Sequence, residues 1–236
     1  IQYVGCGKKM TKGCWTLLLA GVLAAGTDVA IAAQAKSKSR LFAPLNLGLL
    51  EGPDREQWQK PDQIMDALGI GNAHVVGASM GGMIAQIVAA RYANRTRSLT
   101  SIMSSSGDPG MPPGKPEAIS ALLAPRPHPD DRENVIKAGM TILRVIGSPG
   151  FPTSEADLRA KVEQAADRSY YPPGAGRHLL AVLASGSRVE LLKQIRVPTL
   201  VIHGAADPLV PVEGGEDTAR HIPDGVLKII PGMGHD

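Results

Sequence analysis

A chain of 236 residues with 43% hydrophobic residues is the size of a single α/β domain and apolar enough to bury one core. The formal net charge is only +3 and aromatic residues make up 3%, so a basic surface with stacking platforms for nucleic acid is excluded, and Lys36, Lys38 and Arg40 read as solvated surface. Cys6 and Cys14 are too few and too terminal for a disulfide framework and lack metal-ligand spacing; free thiols are the default, and a bridge would need secretion.

In chain order, residues 16–26 (TLLLAGVLAAG) read as an apolar strand with a glycine-containing loop, and residues 40–48 (RLFAPLNLG) as a second strand with its exit loop. The run His74-Val75-Val76-Gly77-Ala78-Ser79-Met80-Gly81-Gly82 then carries a β-branched strand straight into a glycine-flanked serine, with a helix of small and apolar residues behind it, to about Tyr92. This is the G-x-S-x-G elbow in its strand-before, helix-after context. The turn predicts that Gly77 and Gly81 lack side chains so that the backbones can approach. Ser79 is left at a helix N-terminus, where the dipole and free N–H groups favour negative charge.

Residues 98–103 are the next predicted strand. From 104 to 195 the pattern changes to proline-rich turns and helical stretches at 116–124, 131–146, 154–170 and 176–195, with no strand between them. Residues 197–203 (VPTLVIH) are a buried strand, and the loop after it holds Asp207. Residues 226–230 are a short apolar strand followed by Pro231-Gly232-Met233-Gly234-His235-Asp236. Alternating strands and helices predict a mostly parallel sheet, which puts Ser79, Asp207 and His235 beyond carboxyl ends of strands on one edge.

That arrangement has a chemical meaning. A serine hydroxyl is a poor nucleophile at its own pKa and needs a histidine base, itself oriented by a carboxylate. Each residue also has a plainer reading. Ser79 could cap a helix, Asp207 before Pro208 could close a turn, and His235 could be a surface histidine; Asp108, after the strand that follows the elbow, is a substitute acid. His74 and His203 lie on predicted buried strands and read as satisfied core histidines, while His128, His178 and His221 read as surface or cap residues. Met80, Met83, Met103 and Met233 gather near the site as pocket packing.

The segments VVGASMGG, PTLVIHGAADPLVP and IIPGMGHD resemble the α/β-hydrolase family, in particular its cap-bearing, methylesterase-like serine esterases, with the match dense from about Pro61 onward. The resemblance implies an α/β-hydrolase fold, a mostly parallel central sheet flanked by helices with an inserted helical cap. Residues 1–104 and 196–236 would form the core and 105–195 the cap. It implies Ser79 as nucleophile, Asp207 as orienting acid and His235 as general base, with the backbone N–H groups of Met80 and Val22 as oxyanion donors. It further implies carboxylic ester hydrolysis through an acyl-enzyme, with a small-molecule ester as partner and no metal or organic cofactor. Ala20-Gly21 stands where the family usually has His-Gly, and residues 40–48 stand where it often has Pro-Asp.

Amide hydrolysis, carbon–carbon hydrolysis and peracid formation use the same triad and are alternatives, as is a non-catalytic binding protein, which the eroded N-terminal segment favours. Haloalkane dehalogenases and epoxide hydrolases are disfavoured, since they carry aspartate where this chain has Ser79. The N-terminus has a competing reading as a secretory signal within residues 10–35. Lys8, Lys9 and Lys12 precede an apolar run from Trp15 to Ala25, and Ala30-Ile31-Ala32 or Ala33-Gln34-Ala35 offers a cleavage site. Cleavage there would discard the first strand and loop, so the expectation is a cytoplasmic chain; the run is also shorter than the ~20 residues of a membrane span. A fragment is one reading of a chain that starts at Ile1 and stops one residue past His235, because relatives continue into a final helix.

Overall fold

The computed structural model describes residues 69–236. The predicted strands at 16–26 and 40–48, Val22, both cysteines and the signal-like segment lie outside the described residues.

Four strands, β1 (Ala73–Ala78), β2 (Thr96–Ile102), β3 (Thr199–Gly204) and β4 (Val226–Ile230), form a sheet in the order β1-β2-β3-β4. Every pairing is parallel, with Val75 beside Leu99, Ser101 beside Val201 and His203 beside Ile229. Parallel neighbours need a crossover rather than a hairpin, and helices supply each one. The first crossover helix, α1 (Met80–Arg91), leaves β1 through the serine turn. Its Ala85 and Ala89 are buried with Leu99, Leu192, Ile195, Val201, Ala219 and Ile222 in the main core. Small residues on α1 let it sit close to β2, and each fully buried Leu or Ile there contributes roughly 1.5–3 kcal/mol.

Between β2 and β3 lie α2 (Pro116–Leu123), α3 (Arg132–Ile146), α4 (Glu155–Arg168), α5 (Pro172–Ser185) and α6 (Val189–Leu192). The expected helix over 176–195 is two helices, because Gly186 takes the left-handed φ of 59° at the C-cap of α5 and ends it. The start of α5 moves to Pro172, where proline's fixed φ suits the first turn. In compactness, Asn72–Pro172 and Val182–Asp236 belong to one unit, while Pro173–Ala181, in the middle of α5, belong to a second.

α3 and α4 make a hairpin with a small core of Ile136, Met140, Leu158 and Val162. Asp131 and Ser154 cap the two N-termini, accepting from the N–H groups of Asn134 and Asp157. Outside that core, Arg132 pairs with Asp167, Arg159 with Glu133, and Arg144 with Glu155, each through two hydrogen bonds.

The two ends of the stretch between β2 and β3 meet at Arg188, only 3% exposed. Its guanidinium donates to the Ser105 carbonyl (2.9 Å), Ser185 Oγ (3.0 Å), the Gly186 carbonyl (3.2 Å) and Gln86 Oε1 on α1 (3.2 Å). Its own N–H donates to the Ser106 carbonyl. Burial lowers the guanidinium pKa to about 10, which still leaves it charged at neutral pH. One buried cation thus ties both ends of that stretch to α1. The last crossover, α7 (Val212–His221), returns the chain to β4.

Candidate active site

Ser79 sits between β1 and α1 at φ 54° and ψ −122°, a left-handed conformation that costs energy for a residue with a Cβ. The surroundings hold it there. Its N–H donates to the Ile102 carbonyl at the end of β2 (2.8 Å), and its carbonyl accepts from the N–H groups of Gly82 (2.9 Å) and Met83 (3.2 Å). A Cβ on Gly77 would come 2.1 Å from the Gly81 carbonyl oxygen, so glycine is obligatory there. The expectation for Gly81 needs correcting. A Cβ there meets nothing within 4 Å, whereas one on Gly82 would lie 2.7 Å from Ser104 Cβ. The turn brings the backbone of Gly81, not its side-chain position, against Gly77, and the second glycine in close contact is Gly82.

Asp207 follows β3 and is buried. Its Oδ1 accepts from the N–H groups of Leu209 and Val210, both at 2.9 Å, which is the turn expected from the Asp-Pro sequence. Oδ2 remains for His235, whose Nδ1 lies 2.7 Å away. The turn and the contact with His235 therefore use different oxygens of this aspartate. Burial pushes the carboxyl pKa up, but the nearby His203 imidazole, the hydrogen bond with His235 and the Val210 N–H more than offset it and bring it down to about 2. The carboxylate is ionised throughout the physiological range.

His235 is 7% exposed, and its Nε2 lies 2.8 Å from Ser79 Oγ. The hydrogen-bond network assigns the tautomer: Nδ1–H donates to Asp207, leaving Nε2 as acceptor for the serine hydroxyl. Two sets of contacts position this ring. The Asp207 and His235 loops bond directly, the N–H groups of Ala205 and Ala206 donating to the carbonyls of Ile230 and Met233, both at 3.0 Å. Gly204 permits that approach, since a Cβ there would be 2.2 Å from the Met233 carbonyl oxygen.

The second set comes from the turn after α3. The N–H of His235 donates to the Ile146 carbonyl (2.8 Å), and that of Gly150 to the Gly232 carbonyl (2.8 Å). Ser148 Oγ accepts from the Gly234 N–H (2.8 Å) and donates to Asp236. Nothing in the sequence pattern linked residues 146–150 to the histidine.

The Met80 N–H is the first of α1, beside Ser79, where a helix has no internal acceptor to offer. Val22 lies outside the described residues. Asp108 is no part of this constellation: its Oδ1 accepts from the Gly110 N–H (2.7 Å) and closes a turn. His74 is exposed on β1, bonded to Ser98 Oγ (2.7 Å), rather than buried. His203 is a buried histidine, as its strand position predicted. It lies against Asp207, and the only signal of that contact was the four-residue spacing between them. Among the described residues no cluster of His, Cys, Asp and Glu could hold a metal ion, and no helix is long and apolar enough to cross a membrane.

The model of the alpha/beta hydrolase family matches residues 10–236. The chain belongs to that family. It is 32% identical over 171 residues to the poly(3-hydroxyalkanoate) depolymerase of Ectopseudomonas oleovorans, covering 71% of this chain and 56% of that protein. It is 27% identical over 166 residues to the pimeloyl-[acyl-carrier protein] methyl ester esterase of Chromobacterium violaceum, covering 69% and 63%. The solved meta-cleavage product hydrolase of Pseudomonas fluorescens IP01 superposes with a TM-score of 0.61 at 19% identity, over 84% of this chain and 68% of that one. The chain spans somewhat more than half the length of the curated relatives it matches. Family membership and the parallel sheet agree with the fold expected from the three sequence segments.

Proposed function

We propose that this protein hydrolyses carboxylic esters through an acyl-enzyme formed on Ser79. The observation that carries the reading is the unbroken relay from Ser79 Oγ to His235 Nε2 (2.8 Å) and from His235 Nδ1 to Asp207 Oδ2 (2.7 Å). Ser79 Oγ attacks the ester carbonyl as His235 Nε2 takes its proton, and Asp207 stabilises the resulting imidazolium. The oxyanion is received by the N–H of Met80 and, in the family's arrangement, of Val22. Collapse expels the alcohol, protonated by His235. Water then attacks the acyl group with His235 again as base, releasing the acid and regenerating the serine. Every step uses groups of the chain and water.

In this reading residues 105–195 form the cap over a core of 1–104 and 196–236, and a small-molecule ester is the partner. A cytoplasmic location goes with it, since the mechanism uses the N-terminal loop. Ester cleavage is favoured by the esterase among the relatives. Carbon–carbon hydrolysis is the second reading, favoured by the likeness to a 2-hydroxy-6-oxo-6-phenylhexa-2,4-dienoate hydrolase of Burkholderia cepacia, 29% identical over 185 residues.

The test is turnover of p-nitrophenyl esters of increasing acyl length beside a 2-hydroxy-6-oxo-dienoate, with a fluorophosphonate to label the nucleophile. Expected are ester turnover, labelling at Ser79, and a loss of at least about a thousand-fold in kcat for Ser79→Ala with the fold intact. Turnover of the dienoate alone would move the assignment to the second reading. A folded protein that neither labels nor turns over either substrate would make it a binding protein.

A further inference from the structure

Two imidazoles flank Asp207, and the mechanism above uses one of them. His203, the fifth residue of β3, is fully buried, with Nε2 2.8 Å from the Val210 carbonyl oxygen and 3.5 Å from Asp207 Oδ2. A carbonyl oxygen only accepts, so the contact assigns the tautomer: Nε2 carries the hydrogen and Nδ1 is bare. That Nδ1 is buried with no hydrogen-bond partner among the described residues. α7 lies so close that a Cβ on Gly215 would come 2.5 Å from it.

An orphaned buried acceptor is a cost that an apolar side chain would avoid, so the imidazole's value lies on its Nε2 edge. On that edge the contacts close a ring. His203 Nε2–H donates to the Val210 carbonyl, the Val210 N–H donates to Asp207 Oδ1, and Asp207 Oδ2 faces back toward His203 on its way to His235.

We propose that His203 is a positioning residue for the triad acid. It holds the 207–210 turn in the form whose N–H groups grip Oδ1, and so fixes the rotation of the carboxylate that aims Oδ2 at His235. The inference rests on the triad reading and adds to it a fourth residue, one that touches neither substrate nor reacting atoms.

Two replacements in the full chain test it: His203→Leu, of similar volume without a donor, and His203→Gln, whose amide nitrogen can still reach the Val210 carbonyl. On a p-nitrophenyl ester, His203→Leu is expected to lower kcat by about 10- to 100-fold with KM within about 3-fold, and His203→Gln to stay within about 3-fold of the parent. In an Asp207→Asn background the leucine replacement should cost less than about 2-fold more, because what it positions is already lost.

A parental kcat for His203→Leu, a glutamine variant as slow as the leucine one, or fully multiplicative losses with Asp207→Asn each overturn the proposal. Ring nitrogen shifts of His203 in the unmutated protein decide it whether or not the leucine variant folds: an Nε2–H tautomer supports it, and an Nδ1–H tautomer overturns it. If the parent shows no Ser79-dependent turnover, the triad reading itself falls and takes the inference with it, an outcome distinct from an active parent indifferent to His203.

Discussion

The α3–α4 hairpin and the sheet edge that carries Ser79, Asp207 and His235 are held together by opposite means. The hairpin has a small apolar core, two helix caps and three doubly bonded arginine–carboxylate pairs, all six charged partners at least 41% exposed at the side chain. Its ion pairs are redundant, local and screened by water, so each contributes little and none is indispensable. The sheet edge has groups with few partners apiece, Asp207 and His235 among them buried: Ser79 pinned by Ile102, Asp207 by its own turn, His235 by residues 146–150. Where polar groups are buried, each lost partner leaves an unsatisfied group, and there is no water to replace it. Redundancy protects a fold element, whereas a catalytic geometry depends on contacts that have no substitute.

Four experiments press on that contrast. The largest effect is expected at the elbow. Gly77→Ala drives a Cβ into the Gly81 carbonyl and should cost about 3 kcal/mol or more, seen as loss of folded protein or a collapse in Tm, whereas Gly81→Ala leaves Tm within about 2 °C. Two glycines of one motif would thus behave oppositely, and equal destabilisation would contradict the described turn.

Next comes the bracket around His235. Ser148→Ala removes the acceptor for the Gly234 N–H and the donor to Asp236 and should lower kcat by about 10-fold with a small change in KM, measured on the same ester. An unchanged kcat would mean that the Ile146 and Gly150 contacts suffice alone.

Asp207 gives the third. Its folded-state pKa, about 2, is below its ordinary value of 3.8, so its contribution to stability is fully present above about pH 4 and is lost as pH falls toward 2. The difference corresponds to about 2 kcal/mol, read as a drop in urea midpoint between pH 5 and pH 2 that Asp207→Asn lacks. A parallel decline in both proteins would place the acid sensitivity elsewhere. The smallest effect belongs to the hairpin: Arg132→Ala, which breaks the exposed pair with Asp167, should leave ester turnover unchanged and Tm within about 2 °C.

Much of the edge that carries Ser79, Asp207 and His235 was legible because its signals are short and steric. An elbow serine between β-branched residues and a small-residue helix, an aspartate in the turn after an apolar strand, and a histidine after the next strand are each written within about ten neighbouring residues. The correction at Gly81 shows the limit of even such a local motif. Which glycine is crowded depends on where β2 and Ser104 lie, and those are not in the motif. The split of the expected 176–195 helix has the same character. An apolar period ran through it, while the left-handed turn at Gly186 and the buried Arg188 ended it.

By itself, the amino-acid sequence determined the order of three side chains, a serine, an aspartate and a histidine, each following a strand of what had to be a parallel sheet. Hydrophobic periodicity and turn residues act over a few positions, and that range was enough for those assignments. Only the tertiary structure decided what steadies them. Residues 146–150 grip the His235 loop, Arg188 joins both ends of the stretch between β2 and β3 to α1, and His203 stands beside Asp207 with one nitrogen unpartnered among the described residues. The first two join positions tens of residues apart through single buried hydrogen bonds, and no local pattern in a sequence records which distant carbonyl a buried donor will meet.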